Sequence, residues 1–435
     1  MLSFVNNIRL GVLHASLAIT FVAINSVLNR IMINDMNIPA TVVALMVISP
    51  YLLSPVQIWI GQYSDTHPIL GYRRTPYIAL GITLSMVGMM LTPHAALLMN
   101  RDFGPGFALG LVVFFIWGMG YNLSVVSYLS LASDLFEEQQ RSRVIALMWV
   151  MMFIGIISSA RLLGSSLEPY SDAQLIRSFR TAGMIGMGLI VLGLVGLEPR
   201  YQTVRLKKRY SQRVAIQAVI TNPQARRFFL YLILLLAAIL GQDLLLEPFG
   251  ARAFGLNIEQ STMLTAIWGS ATLFSLLLYG LALSRWMSKK TGAMLGATLA
   301  ALGMLLIAVS GMLQMPFIFF PGIVMLGLGT GIATTTNLAL MLDMTTPERA
   351  GLFIGAWGVA DALARGTGYL LGGVGRDVIT LVSSNPLGGY ISVYLIDALI
   401  LCCSLLLLRS IDVKAFREEQ EQPSLTQVMA VAGDM

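Results

Sequence analysis

The sequence predicts an all-α membrane protein of twelve transmembrane helices arranged as two six-helix halves. Three observations predict it: an apolar composition, a run of long apolar blocks, and an echo between the two halves. Of 435 residues, 56% are hydrophobic and 11% charged, with a mean hydropathy of +0.76. Soluble globular chains hold roughly 45–50% apolar residues. Crossing a bilayer takes about 20 mostly apolar residues in a helix. Twelve such blocks lie near 10–33, 40–62, 76–98, 106–130, 144–166, 181–198, 228–248, 260–284, 291–312, 316–341, 351–372 and 389–409.

Orientation follows from Lys and Arg, which are retained on the cytoplasmic side. With the N-terminus inside, the inside segments hold 20 of the 28 basic residues. The other eight are Arg30, Arg101, Arg161, Arg177, Arg180, Arg252, Arg365 and Arg376, which fall outside or within helices. Both termini are therefore expected in the cytoplasm. Anionic lipid headgroups account for the net charge of +6 without nucleic acid. The first block is long enough to span and no small-residue cleavage site follows it, so it reads as an uncleaved helix. Cys402 and Cys403 are adjacent in the last block and form neither a disulfide framework nor a zinc spacing.

Residues 198–227 are the longest and most basic connection, and they divide the blocks six and six. The expected organisation is a half over 1–198, a basic cytoplasmic linker over 199–227, a half over 228–410, and a mobile cytoplasmic tail over 411–435. The halves echo each other. Residues 130–149 read SLASDLFEEQQRSRVIALMW and residues 339–357 read ALMLDMTTPERAGLFIGAW. Each carries an Asp at the end of its fourth helix, an Arg, and a Trp eight residues after that Arg. These are Asp134, Arg141 and Trp149, then Asp343, Arg349 and Trp357. Two six-helix halves repeated in the same sense are the plan of the major-facilitator fold.

Between the second and third blocks stands GQYSDTHPILGYRRTP, residues 61–76. It resembles the major-facilitator loop motif, in which a Gly is followed four residues on by an Asp and an Arg pair closes the loop. Gly61 would let a helix of the other half approach closely. Asp65 would cap the N-terminus of a helix opposite, where its charge meets the positive end of the dipole. Arg73 and Arg74 would pair with acidic residues or headgroups. The set reads as a gate latch on the cytoplasmic face; the plainer alternative is a solvated loop with topogenic arginines.

The longer stretch SDTHPILGYRRTPYI resembles the loop of the PucC-like family, also called the bacteriochlorophyll delivery family. RLGVLHASLAITFVAINSVLNRIMI at 9–33, IPATVVALMV at 38–47, SLASDL at 130–135 and GQDLLLEPFGARAFGL at 241–256 agree with it. That resemblance implies a membrane assembly factor that handles or delivers chlorophyll or bacteriochlorophyll. Its implied partners are antenna or photosystem apoproteins in the inner membrane of a photosynthetic bacterium. Any pigment would be cargo, with no catalytic cofactor. Family members tend to carry a His in the fourth helix, where this chain has Asn122 within GMGYNLSVVSYLSL. A chlorin magnesium needs an axial donor, for which His14, Asn25, Asn122 and Asn337 are the candidates within helices. A lone helix His more often bonds a neighbouring backbone group.

Ionisable groups inside a membrane are expensive and suggest function. At about 1.5 Å per residue, Arg30, Arg161, Asp243, Glu247, Asp361 and Arg365 all fall in the outer half of the membrane. Asp243 and Glu247 are four apart, as are Asp361 and Arg365, so each pair would share a helix face. Like charges at that spacing repel unless a cation intervenes, and Arg30 or Arg161 from the other half is the expected partner. The arrangement reads equally as a periplasmic latch, a protonation switch at Asp243, or a static ion network.

No Walker loop, dinucleotide fingerprint, HExxH or other zinc spacing occurs, so neither an enzyme nor a metal site is expected. LGLGTGIATTTN at 326–337 lies in an apolar block, where glycines serve close packing. Two readings of different class remain: a pigment-handling assembly factor, and a proton-coupled secondary transporter of a small or amphipathic solute.

Overall fold

A computed structural model describes residues 2–52, 56, 63–64, 67–135, 138–200, 222–343 and 350–411. Gly61, Asp65, Arg349, most of the basic linker and the tail from 412 lie outside them. So do the side chains of Arg141 and Asp343. Ten helical stretches among the described residues are long and apolar enough to cross a membrane. The first half contains α1 (Leu2–Phe21), α2 (Ala40–Val47), α3 (Thr75–Arg101), α4 (Phe103–Leu135), α5 (Glu138–Ser166) and α6 (Asp172–Leu194). The second contains α7 (Pro223–Gly241), α8 (Leu246–Phe254), α9 (Ile258–Leu281), α10 (Lys289–Leu313), α11 (Pro316–Asp343), α12 (Ala350–Ser383) and α13 (Pro386–Arg409).

Local sequence sets where several of these helices begin. Asn222 and Asn385 each accept two backbone N–H bonds ahead of a Pro at the first helical position. Asn257 and Gln260 form a reciprocal capping box at the start of α9.

Within the halves, the closest packing repeats. α3 lies along α4, and α10 lies along α11. Small residues allow this approach: a methyl on Gly81 would sit 2.5 Å from the Ser124 nitrogen, and one on Gly303 would sit 2.6 Å from that of Leu326. In the Gly-rich stretch of α11, a methyl on Gly327 would lie 2.6 Å from the Trp268 carbonyl oxygen, as close packing requires. Between the halves, α5 packs on α9 and α2 on α12. These two contacts exchange equivalent helices, which is the relation a repeat of six produces.

Three elements depart from the apolar blocks. The first helix continues past Phe21 as π-helix over Val22–Leu28 and Ile31–Asp35. The seventh block breaks: α7 stops at Gly241, a 3₁₀ turn covers Gln242–Leu244, and α8 starts at Leu246. The eleventh runs on to Ser383, carrying Arg376 and Asp377 inside the helix.

Candidate functional site: the gate loop and a polar seam between the halves

After α6 the backbone turns at Gly196, whose φ of +71° suits glycine, and brings Glu198 back to the gate loop. Glu198 is buried. Its carboxylate accepts the N–H of Arg73 at 2.9 Å, of Arg74 at 3.1 Å and of Thr75 at 2.7 Å. Pro76, next in line, has no N–H to satisfy. An anion therefore sits on the positive end of α3 and closes its first donors. The Arg74 side chain is buried too; it donates to Ser64 at 2.7 Å and reaches Asp134, at the end of α4, at 3.3 Å. Arg73, Arg74, Asp134 and Glu198 thus come together within the first half.

At the far end of the bundle a second polar set joins the halves, and here the charges differ from expectation. Arg30 and Arg161 were expected to neutralise Asp243 and Glu247. Arg30 instead pairs with Asp35 and donates to the Leu256 carbonyl at 3.1 Å. The reason is the π-helix: residues five apart stack in it, so Asp35 lies over Arg30. Arg161 is exposed on α5. Asp243 and Glu247 do not occupy one continuous helix face either, because the break at 242–245 separates them. Asp361 and Arg365 do pair, at 3.0 Å, and the Arg365 guanidinium stacks on the Tyr51 ring of the other half at 5.3 Å.

Proline chemistry explains how the broken helix meets α1. Pro248 carries no N–H, so the Leu244 carbonyl four residues back loses its helical partner. Asn29, from the other half, donates to that carbonyl at 2.6 Å. Asn34 donates to the Pro248 carbonyl at 2.8 Å. Further out, Asp377 on α12 accepts both the backbone N–H of Thr41, at 2.7 Å, and its hydroxyl, at 2.8 Å. A carboxylate of one half thereby caps the start of α2 in the other. Nearer the middle, Thr265 meets Ser26 at 3.1 Å and Tyr369 meets Asn25 at 3.4 Å. All these contacts lie at mid-depth or at the end away from the gate loop, which they hold shut.

The carboxylates face a small cavity lined by Phe21, Asn25, Ser26, Gln242, Asp243, Leu246, Glu247, Thr265 and Trp268. Glu247 accepts from Thr265 through one oxygen, and Asp243 accepts from Gln242 at 2.7 Å.

Of the candidate pigment donors, His14 is buried between the rings of Tyr128 at 5.1 Å and Trp149 at 5.3 Å. Its Nδ1 has no hydrogen-bond partner among the described residues. Asn122 is buried. Asn25 bonds Phe21 and Tyr369. Asn337 is committed on both sides, to Tyr231 at 2.8 Å and to the Ala333 carbonyl at 2.8 Å.

Sequence reasoning left Glu198, Asn29, Asn34, Asp35 and Asp377 without roles. Two signals pointed to them: Glu198 is an acid opening a basic connection, and Pro248 sits four residues beyond Leu244, where it frees a carbonyl.

Paired halves and exchanged inter-half contacts define a multi-pass protein of the major-facilitator fold. The chain overlays the crystal structure of a point mutant of the nucleoside transporter NupG with a TM-score of 0.73 at 14% identity, across 93% of this chain and 99% of that one. A likeness so distant in sequence speaks for the fold alone. The family is narrower: the chain belongs to the PUCC protein family, whose model matches residues 27–416. It is 31% identical to "Protein PucC" of Rhodovulum sulfidophilum over 388 residues, covering 86% of this chain and 85% of that one. It is 28% identical to "Bacteriochlorophyll synthase 44.5 kDa chain" of Rhodobacter capsulatus over 381 residues, 86% of this chain and 87% of that one.

Proposed function

We propose that this chain is a membrane assembly factor that handles or delivers chlorophyll or bacteriochlorophyll to light-harvesting or other photosynthetic pigment–protein complexes. The observation that carries the reading is the family match, which runs from residue 27 to residue 416 and so takes in both halves. The names of its relatives, one of them tied to bacteriochlorophyll, support it. Its setting would be the inner membrane of a photosynthetic bacterium, with lipid around the bundle and antenna or photosystem apoproteins as clients. His14 offers an imidazole nitrogen that no described protein group uses, the donor type a chlorin magnesium takes. One relative is named as a synthase chain, a name that belongs to that relative, and this chain is read as a membrane protein without an enzymatic step.

Deleting the gene and recording absorption spectra of the membranes tests the reading. Loss of one or more pigment–protein complexes, with free pigment synthesis retained, is the expected result. A full set of pigment–protein complexes at wild-type levels in the deletion strain would refute it. A second reading, a proton-coupled secondary transporter, is favoured by the buried carboxylates at the seam. Solute uptake driven by a proton gradient in vesicles, without any pigment phenotype, would select it.

A further inference from the structure

The cavity between α1, the α7–α8 break and α9 holds more acceptors than its donors can satisfy. Gln242 Oε1, Asp243 Oδ2 and Glu247 Oε2 are buried and have no hydrogen-bond partner among the described residues. Their residues are 2%, 6% and 2% exposed. All three line this cavity, where Trp268 Nε1 is the one donor among the described residues in the same position. Unmet buried acceptors, two of them on carboxylates, cost free energy unless something positive meets them.

The cations of the described residues do not meet them. Arg30 is held by Asp35 and Leu256, and Arg161 is exposed. Arg365 on α12 lies within electrostatic reach of Asp243, but its guanidinium is bound by Asp361 and stacked on Tyr51. The other titratable groups turned toward the pair are Tyr51, Tyr369 on α12 and Tyr394 on α13, none of them cationic.

The acceptors available are all oxygen: two carboxylates, the amides of Gln242 and Asn25, and the hydroxyls of Ser26 and Thr265. Such sets suit hard cations. The cavity measures about 10 Å³, room for one water-sized sphere. That excludes Mg²⁺, which usually keeps several of its waters. The ligands also stand on irregular helix, a π segment in one half and a 3₁₀ break in the other, where interrupted helices of transporters place their ions.

We infer that this cavity binds one monovalent cation of sodium's size, and that the ion ties α1 to the α7–α8 break. The inference is independent of the pigment reading, which stands or falls on the deletion phenotype. An ion bridging the halves at this depth favours the conformation shut at the far end, adding to the Asn29 and Asn34 contacts.

The test uses the full chain purified into lipid nanodiscs, with ²²Na⁺ binding read by scintillation proximity at constant ionic strength and pH. Saturable binding is expected, with K⁺ and choline competing at least about tenfold more weakly than unlabelled Na⁺. Asp243→Asn and Glu247→Gln should each weaken it by about tenfold or more. Should either variant fail to fold, Thr265→Val and Asn25→Ala keep both acids and should still weaken Na⁺ binding. No saturable Na⁺ binding, competition by K⁺ equal to that by Na⁺, or undiminished binding in folded variants would each overturn the inference. So would stability of the purified protein that follows pH but ignores Na⁺.

Discussion

Glu198 gives the most direct test of how the gate loop is held. Replacing it with Ala removes the acceptor that closes the N–H groups of Arg73, Arg74 and Thr75 at 2.7–3.1 Å. Loss of a helix N-cap costs about 0.5–2 kcal/mol. An anion at the positive end of a helix adds about 0.3–1 kcal/mol. A buried donor left unmet costs about 1–3 kcal/mol. The loop lies at the end of the bundle, where water can enter the space left by Ala and meet the freed donors. The total should then settle at about 2–4 kcal/mol, mostly from the cap and the unmet donors. Glu198→Gln keeps one acceptor oxygen and loses the charge and the second acceptor, so it should cost about 1 kcal/mol. Unfolding by SDS titration in mixed micelles, followed by tryptophan fluorescence, measures both. Labelling of a cysteine placed at Ser64 should also rise in Glu198→Ala as the loop loosens. If Glu198→Ala unfolds within about 0.5 kcal/mol of wild type, or if Gln costs as much as Ala, the capping account fails.

Three further outcomes follow from the same contacts. Asp134→Asn removes the carboxylate 3.3 Å from the buried Arg74 guanidinium and should destabilise by up to about 3 kcal/mol, and an added Arg74→Leu should recover part of that loss in a double-mutant cycle. Asn29→Leu leaves the Leu244 carbonyl without its 2.6 Å donor, which should cost about 1–3 kcal/mol and raise cysteine labelling along the far end of the seam. Asp377→Asn, which forfeits the charge at the start of α2, should loosen the same end by about 0.5–2 kcal/mol, visible as faster hydrogen exchange at Thr41.

The apolar spans and the small-residue packing of α11 were legible because apolar length and glycine spacing are local properties. The Arg74 pairing was also within reach, since a buried guanidinium at a helix start must find an anion. What the sequence hid was backbone irregularity. The apolar pattern of 10–33 looks the same for α-helix and π-helix, yet the π segment is what turns Asp35 onto Arg30. Likewise the apolar runs on either side of Gln242–Leu244 concealed the break there, and only Pro248 hinted that the helix would not continue. On a straight helix Asp243 and Glu247 would share one face and call for an arginine between them. Asp377 was missed for a different reason: the eleventh helix outruns its apolar block and continues to Ser383, so a capping carboxylate looked like part of a loop.

The broken helix also explains why the seam is built from amides rather than ion pairs. In a continuous helix the Leu244 carbonyl would be bonded within its own chain, leaving only side chains for the opposite half to grip. Paired charges at that depth are costly to desolvate, and their removal is often neutral. A carbonyl freed by Pro248 is a fixed acceptor that asks for one neutral donor, which Asn29 supplies without carrying charge into the membrane. Parting the halves would break that bond and leave the carbonyl to whatever water enters the opened seam. Asp243 and Glu247 thereby join the closure through the ion inferred above rather than through an ion pair with an arginine. Two carboxylates kept at the seam, with the nearby arginines engaged elsewhere, are placed to hold a ligand that ties the halves together.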